Sequence, residues 1–175
     1  AEVTTNATYT VTFMTGSDVY LTQRVGYNHK ATQPVDPKVE GFTFDGWYKT
    51  NTGWDAADKW DFANDKVTGT STIYPKLDPI TPKITWPSPT TGYTIAVKYT
   101  APGAPSAADL TTNGGPVPYN SVVTFTITIS TGYDASKMQV GINGVLHAPK
   151  DKSTDGKTYT FEFTAKQDTE AISVT

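Results

Sequence analysis

A catalytic or metal-binding site needs polar groups of suitable kinds brought together, and this chain offers few. It has two histidines, His29 and His147, and no cysteine. The histidines are far apart in sequence and each adjoins loop-type residues, so both read as solvated side chains. Without cysteine there is no thiolate nucleophile, no disulfide framework and no cysteine-based zinc site. No serine sits in a G-x-S-x-G elbow, no P-loop or G-x-G-x-x-G run occurs, and Asn113-Gly114-Gly115 reads as a turn. Asp55, Asp58, Asp61 and Asp65 form the one acidic cluster. A calcium site would gather several oxygens on one loop, but this spacing does not match D-x-[DN]-x-[DN]-G. The cluster reads as a solvated face, with Asp61 placed to cap a turn. A glycosidase would set two carboxylates across a cleft, whereas Glu is scarce and the folding units look too small to enclose one. The expectation is a non-enzymatic chain with no catalytic residue, cofactor or metal.

What remains is aromatic contact. The stretch 41–62, GFTFDGWYKTNTGWDAADKWDF, holds Trp47, Trp54 and Trp60, three of the four tryptophans. Phe42, Phe44, Tyr48 and Phe62 lie among them. Aromatic side chains bury the most area per residue, so a small domain can be built on a few of them. The main reading is a packed core under a hairpin, with Trp47, just after Gly46, at its centre. The other is an exposed platform. Trp54 follows Asn51-Thr52-Gly53 and is placed on a loop tip, and Trp86 stands in a proline-rich stretch. These two are the candidates for ligand or partner contact, by stacking on a sugar for example.

The elements that position these rings are strands. The 175 residues are 37% hydrophobic and 18% charged, and the many Thr, Val and Tyr residues favour β-structure. Net charge is -3 and no basic patch is visible, which sets aside nucleic acid and anionic membrane as partners. No apolar run is long enough to cross a bilayer. The start, Ala1-Glu2-Val3-Thr4, lacks a signal-peptide pattern, which leaves export open. Tyr9, Val11 and Phe13 alternate with threonines, a half-buried strand. After the Gly16-Ser17-Asp18 turn, Val19, Leu21 and Val25 return as a hairpin. Pro34 and Pro37 hold the next crossing extended, with room for one helical turn over 30–33. Phe42 to Tyr48 is a strand, Ala56 to Lys59 suits a helical turn, and Trp60 with Phe62 suits a short strand. The run 72–77 closes the unit, with Pro75 predicting that the strand lies at an edge or is near its end there.

Pro79, Pro82, Pro87 and Pro89 then read as a stiff linker. Beyond it, 93–99, 123–129, 140–142, 145–146, 159–163 and 172–174 read as six short strands. Asn143-Gly144 suits a type I′ turn, Asp155-Gly156 marks another turn, and 101–118 reads as loop. Such spacing favours a compact β-sandwich, with a second β-grasp-like unit as the alternative.

The order strand, turn, strand, proline crossing, G-F-x-F-x-G-W-Y, W-D-F and T-x-Y-x-K resembles the Listeria–Bacteroides repeat, the B-repeat of internalin-like bacterial surface proteins. The matching residues are Ala31, Pro34, Asp36, Pro37, Gly41, Phe42, Phe44, Gly46, Trp47, Tyr48, Trp60, Asp61, Phe62 and Tyr74. Two departures are Thr15-Gly16-Ser17 for the usual glycine pair and Pro75-Lys76-Leu77 for the usual A-K-W. The run 131–138 is similar to modules of Bacteroidales surface proteins. The first resemblance implies a small, extracellular β-grasp-like domain, often arrayed in tandem within a longer chain. The expectation is therefore a mainly β chain: residues 1–78 a β-grasp-like domain, 79–91 a linker and 92–175 a β-sandwich-like domain. Its implied role is a spacer, adhesion or protein-interaction module of a bacterial surface or secreted protein. The implied partner is a protein or glycan of a host or neighbouring cell. The alternative is a carbohydrate-binding module using exposed tryptophan.

Overall fold

The computed structural model describes residues 7–175. The chain is mainly β and divides into two compact units, the first ending at Pro79 and the second spanning Ile80–Thr175.

In the first unit β1 (Thr8–Thr15) and β2 (Asp18–Gly26) form a hairpin through Gly16 at φ 60°. They are followed by β3 (Phe42–Tyr48) and β4 (Ser71–Pro79), giving the sheet order β2-β1-β4-β3. The two central strands, β1 and β4, run parallel, and the outer pairings are antiparallel. The arrangement is β-grasp-like. Its crossing segment is extended, and the helical turn expected over 30–33 does not form. The Gln23 side chain explains why: it donates to the Thr32 carbonyl at 2.7 Å and accepts from the Thr32 N–H at 2.9 Å. Those backbone groups are thus held as a neighbouring strand would hold them. One 3-10 turn, Ala56–Asp58, forms where a helical turn was expected. The core is Val11, Phe13, Val25, Ala31, Trp47, Trp60, Val67 and Ile73.

Three local expectations are corrected. Val19 and Leu21 stay 59% and 40% exposed, so only the Val25 end of the β2 apolar face is buried. Trp60 and Phe62 lie outside any strand. Pro75 is in a central strand, not an edge one, but the ladder to β1 ends at Ile73. At Pro75 the strand therefore has a neighbour only on the β3 side, opposite Trp47, where a missing N–H costs the sheet little.

The second unit stacks two five-stranded sheets. One contains β5 (Lys83–Thr85), β8 (Gly115–Pro116), β10 (Val140–Ile142), β11 (Val145–Leu146) and β14 (Thr169–Val174), in the order β11-β10-β14-β5-β8. The other contains β6 (Tyr93–Thr100), β7 (Ala108–Asp109), β9 (Val122–Ile129), β12 (Asp151–Lys152) and β13 (Thr158–Thr164), in the order β12-β13-β9-β6-β7. Ile84, Val140, Ile142 and Ile172 from the first sheet share one core with Val97, Val123, Phe125, Ile127 and Phe161 from the second. The unit is therefore a β-sandwich and not a second β-grasp. Phe125 and Phe161 pair across β9 and β13 and stack at 5.0 Å.

The stretch 79–91 read as a linker carries β5, which pairs with both β14 and β8. Ile84 is fully buried. The prolines bracket Lys83–Thr85 without entering it, so all three N–H groups remain available, and that of Lys83 donates to Asp168. The expected loop 101–118 likewise supplies β7, β8 and the buried Val117.

A fragment spanning 80–175 is expected to give a dispersed amide spectrum. One starting at residue 92 should lose that dispersion, because it lacks β5 and leaves Ile84's place in the core empty. A folded 92–175 fragment would assign β5 no structural role.

Candidate functional site

The aromatic motif builds one face of the first unit. β3 bulges between Phe44 and Gly46, and Gly46 adopts φ 138°. A side chain there would be strained, and its Cβ would fall 2.5 Å from the Lys59 stem. The bulge turns Trp47 inward, where it is 1% exposed. Its ring meets Phe13 edge-on at 5.1 Å, Phe44 at 5.5 Å and Tyr20 at 5.8 Å. Trp60 is 8% exposed and lies 6.4 Å from Phe62, which stacks on Phe13 at 6.1 Å. Tyr48 is buried, Phe44 and Phe62 are half-buried, and Phe42 is exposed. The segment before Trp60 runs along the edge of β3: Trp60 N–H donates to the Trp47 carbonyl, and Lys49 N–H to that of Asp58. An open cavity of about 540 Å³ lies over these rings, lined by Gln33, Phe44, Lys59, Trp60 and Phe62 among others. The indole N–H groups of Trp47 and Trp60 are buried without an acceptor among the described residues.

Charged groups frame this face. Asp45 accepts from Lys76 at 2.9 Å and from the Tyr48 hydroxyl at 3.0 Å. The Lys76 hydrogen bond, then that of Tyr48, holds the Asp45 carboxyl below its ordinary range. Lys49 pairs with Asp65 at 2.9 Å and sits 5.6 Å over the Trp60 ring. Asp61 closes the turn after Trp60. Its Oδ1 accepts from the N–H groups of Ala63 and Asn64, and its Oδ2 from the Asn64 amide. The Asn64 side chain, then the Ala63 amide, depresses its pKa. This turn also explains why no strand runs on through Phe62: after Trp60, the Asp61 N–H goes to the Asp65 carboxylate and those of Ala63 and Asn64 to Asp61, which folds the chain back on itself.

The two tryptophans singled out for contact lie in different units. Trp54 adopts φ 51° after Gly53 and is half-buried, with its ring edge-on to Tyr48 at 5.4 Å. Trp86 packs in part against the second unit's core. The Asn113 side chain accepts from its N–H at 3.0 Å and donates to its carbonyl at 2.6 Å.

The four aspartates of the acidic cluster do not converge. Among the described residues no three His, Cys, Asp or Glu side chains gather as a metal site would require. His29 bonds the Tyr27 carbonyl through Nδ1 at 2.9 Å, and it falls in a different unit from His147.

Sequence reasoning missed one buried carboxylate. Glu170 is 2% exposed. Its Oε1 accepts from the backbone N–H groups of Lys166 and Gln167, and its Oε2 from Asn143, whose Oδ1 accepts from Ala171 N–H. The alternation Glu170, Ile172, Val174 carried the signal, since it places the glutamate on the inward face of β14. The network ties the Asn143-Gly144 turn, at φ 52° and 78°, to that strand. It is a structural clasp.

Residues 9–76 match the family model of the Listeria-Bacteroides repeat domain. The chain is 41% identical over 75 residues to Internalin H of Listeria monocytogenes, an alignment covering 42% of this chain and 13% of that protein. A protein of Evansella cellulosilytica bearing the name Gly-rich membrane protein is 36% identical over 71 residues, covering 40% of this chain and 8% of its own. The chain thus spans a small part of these relatives' length.

Truncating a buried tryptophan costs ~3–5 kcal/mol, comparable to the whole stability of a small domain. Trp47→Ala is expected to unfold the first unit, seen as loss of its amide dispersion. An unchanged melting curve would remove Trp47 from the core.

Asp61→Ala should lower the melting temperature at neutral pH by opening the turn. The folded-state pKa of Asp61 is depressed, so its contribution is present above the unfolded value of about 4 and fades as pH falls through the folded value. The gap between variant and wild type should therefore narrow in acid. A gap independent of pH would mean that the charge on Asp61 plays no part.

Proposed function

We propose that this chain is a non-enzymatic segment of a bacterial cell-surface or secreted protein, acting there as a spacer and as an adhesion or protein-interaction module. The observation that carries the reading is the repeat-domain match over residues 9–76, with its alignments to Internalin H and to a protein named for a membrane. Two β units with separate cores suit such a role, because each keeps its own shape without a partner's help. Among the described residues no helix is long and apolar enough to cross a membrane.

Partner contact is assigned to the β2 edge of the first unit. There Val19, Tyr20 and Leu21 are exposed and, among the described residues, the strand pairs on one side only, with β1. A partner strand of a host or neighbouring-cell protein can add to such an edge by main-chain hydrogen bonds. The Trp54 loop is the second contact surface. Trp54 is half-buried, which leaves less of its ring free than an open sugar platform would have.

Localisation of the intact protein tests the reading. Antibody to this segment should label unpermeabilised cells or the culture medium, and brief external protease should remove the cell-bound signal. A protein found solely in the cytoplasm, with no exported precursor, would end the surface assignment.

A further inference from the structure

We propose that the second unit carries a binding cleft for a neutral sugar, with the Tyr133 ring as its stacking platform. The cleft measures about 380 Å³, within the ~300–1,000 Å³ usual for small-molecule sites. Its floor is apolar, made by Ile129, Ala135, Met138 and Val174.

Tyr133 is 58% exposed, unusual for so large a ring, and it is held in place. It follows a turn in which Ser130 N–H donates to the Gly92 carbonyl at 2.9 Å and Tyr133 N–H to the Ser130 carbonyl at 3.2 Å. One side of the ring lies against Gly92. A Cβ there would fall 2.5–2.9 Å from three ring carbons, so only glycine lets the ring settle. Gly92 also has φ 82°, which glycine alone adopts without strain. The ring is thus immobilised on the backbone with its remaining surface open. A fixed aromatic face costs little entropy to use, and its negative π surface attracts the weakly positive C–H groups of a pyranose face.

The rim decides the ligand's charge. Asp134 and Lys137 contribute one charge of each sign, so neither an anion nor a cation is favoured. Asp134 is held by Ser136, whose N–H donates to Oδ1 at 2.9 Å and whose hydroxyl donates to Oδ2 at 2.7 Å. Each oxygen keeps a further acceptor position. Thr91, Tyr93, Lys137 and Thr175 line the same cleft, and their side chains are of kinds that donate hydrogen bonds. Burial pushes the Tyr93 phenol pKa up, which keeps it a hydroxyl donor. Mixed donors and acceptors over an apolar floor beside an aromatic face match a polyhydroxylated ring, which offers both kinds of group around an apolar centre.

The site lies in the second unit, outside the matched repeat, and does not rest on where the intact protein resides. The test titrates the 175-residue chain with cellotriose, xylotriose, maltotriose and chitotriose, each to 10 mM on the order of the weak affinity one aromatic contact gives, and follows amide chemical shifts. At least one sugar should shift the amides of 91–93 and 133–138. Tyr133→Ala should weaken that binding by roughly tenfold or more, while Tyr133→Phe retains most of it. Tyr133 is exposed, so both variants should keep the wild-type melting temperature. No shift with any of the four sugars, shifts confined to other residues, or binding undiminished in Tyr133→Ala would each overturn the proposal. So would shifts at this cleft with a tetraproline peptide and none with sugar, since the platform would then serve a peptide.

Discussion

The contact of Trp47 with Phe13 sets the terms for the first unit. Phe13 is on β1 and Trp47 on β3, with β4 between them. Strands two places apart in a sheet lie roughly 9–10 Å from each other, so only two large rings can meet across the intervening strand. Their centroids are 5.1 Å apart. The bulge at Phe44 and Gly46 aims the indole, and Gly46 is a residue that can take the bulge's φ of 138° with Lys59 so close. Phe62 then stacks on the Phe13 ring, and Trp60 packs beside it. The charged groups follow from this packing. Lys49, Lys59 and Lys76 stand over or beside the aromatic face and pair with Asp65 and Asp45.

The second unit solves the same problem of limited core with two sheets. Its inward residues come from both, and Phe125 stacked on Phe161 fills the middle. Polar clasps hold its corners. Asn143 with Glu170 pins the β10–β11 turn to β14, and Asn113 pins its loop to the backbone of Trp86. Buried polar groups are tolerable where their partners are supplied. Glu170 meets that condition with acceptor bonds from two backbone amides and a side-chain amide.

Strands with clean alternation were legible from sequence, including β1, β6, β9 and β13, and so was the type I′ turn at Asn143-Gly144. The paired motif G-F-x-F-x-G-W-Y and W-D-F was enough to place Trp47 and Trp60 near one another. What was not legible depended on partners distant in sequence. Proline content marked 79–91 as linker, yet β14 and β8 recruit Lys83–Thr85 between the prolines. Pro75 argued for an edge or an end; its strand is central, and the β1 ladder stops at Ile73, before reaching it. The period of two at Trp60 and Phe62 predicted a strand, but the chain turns there instead, with the Asp61 carboxylate accepting from the Ala63 and Asn64 amides just beyond. Val19 and Leu21 alternate as a buried face would, but among the described residues no segment covers them. Tyr133 carried no local signal at all, because its partner, Gly92, is 41 positions away in sequence.

A buried Trp47 holds the first unit closed. Its indole N–H reports on this directly, being buried and without an acceptor among the described residues. In D2O that proton should exchange as slowly as the Phe13 amide on β1, since both wait for the unit to unfold. The half-exposed Trp54 indole should exchange far sooner. Exchange of the Trp47 indole proton on the timescale of Trp54, while the Phe13 amide stays protected, would mean that the ring leaves the core without unfolding it and would contradict the account.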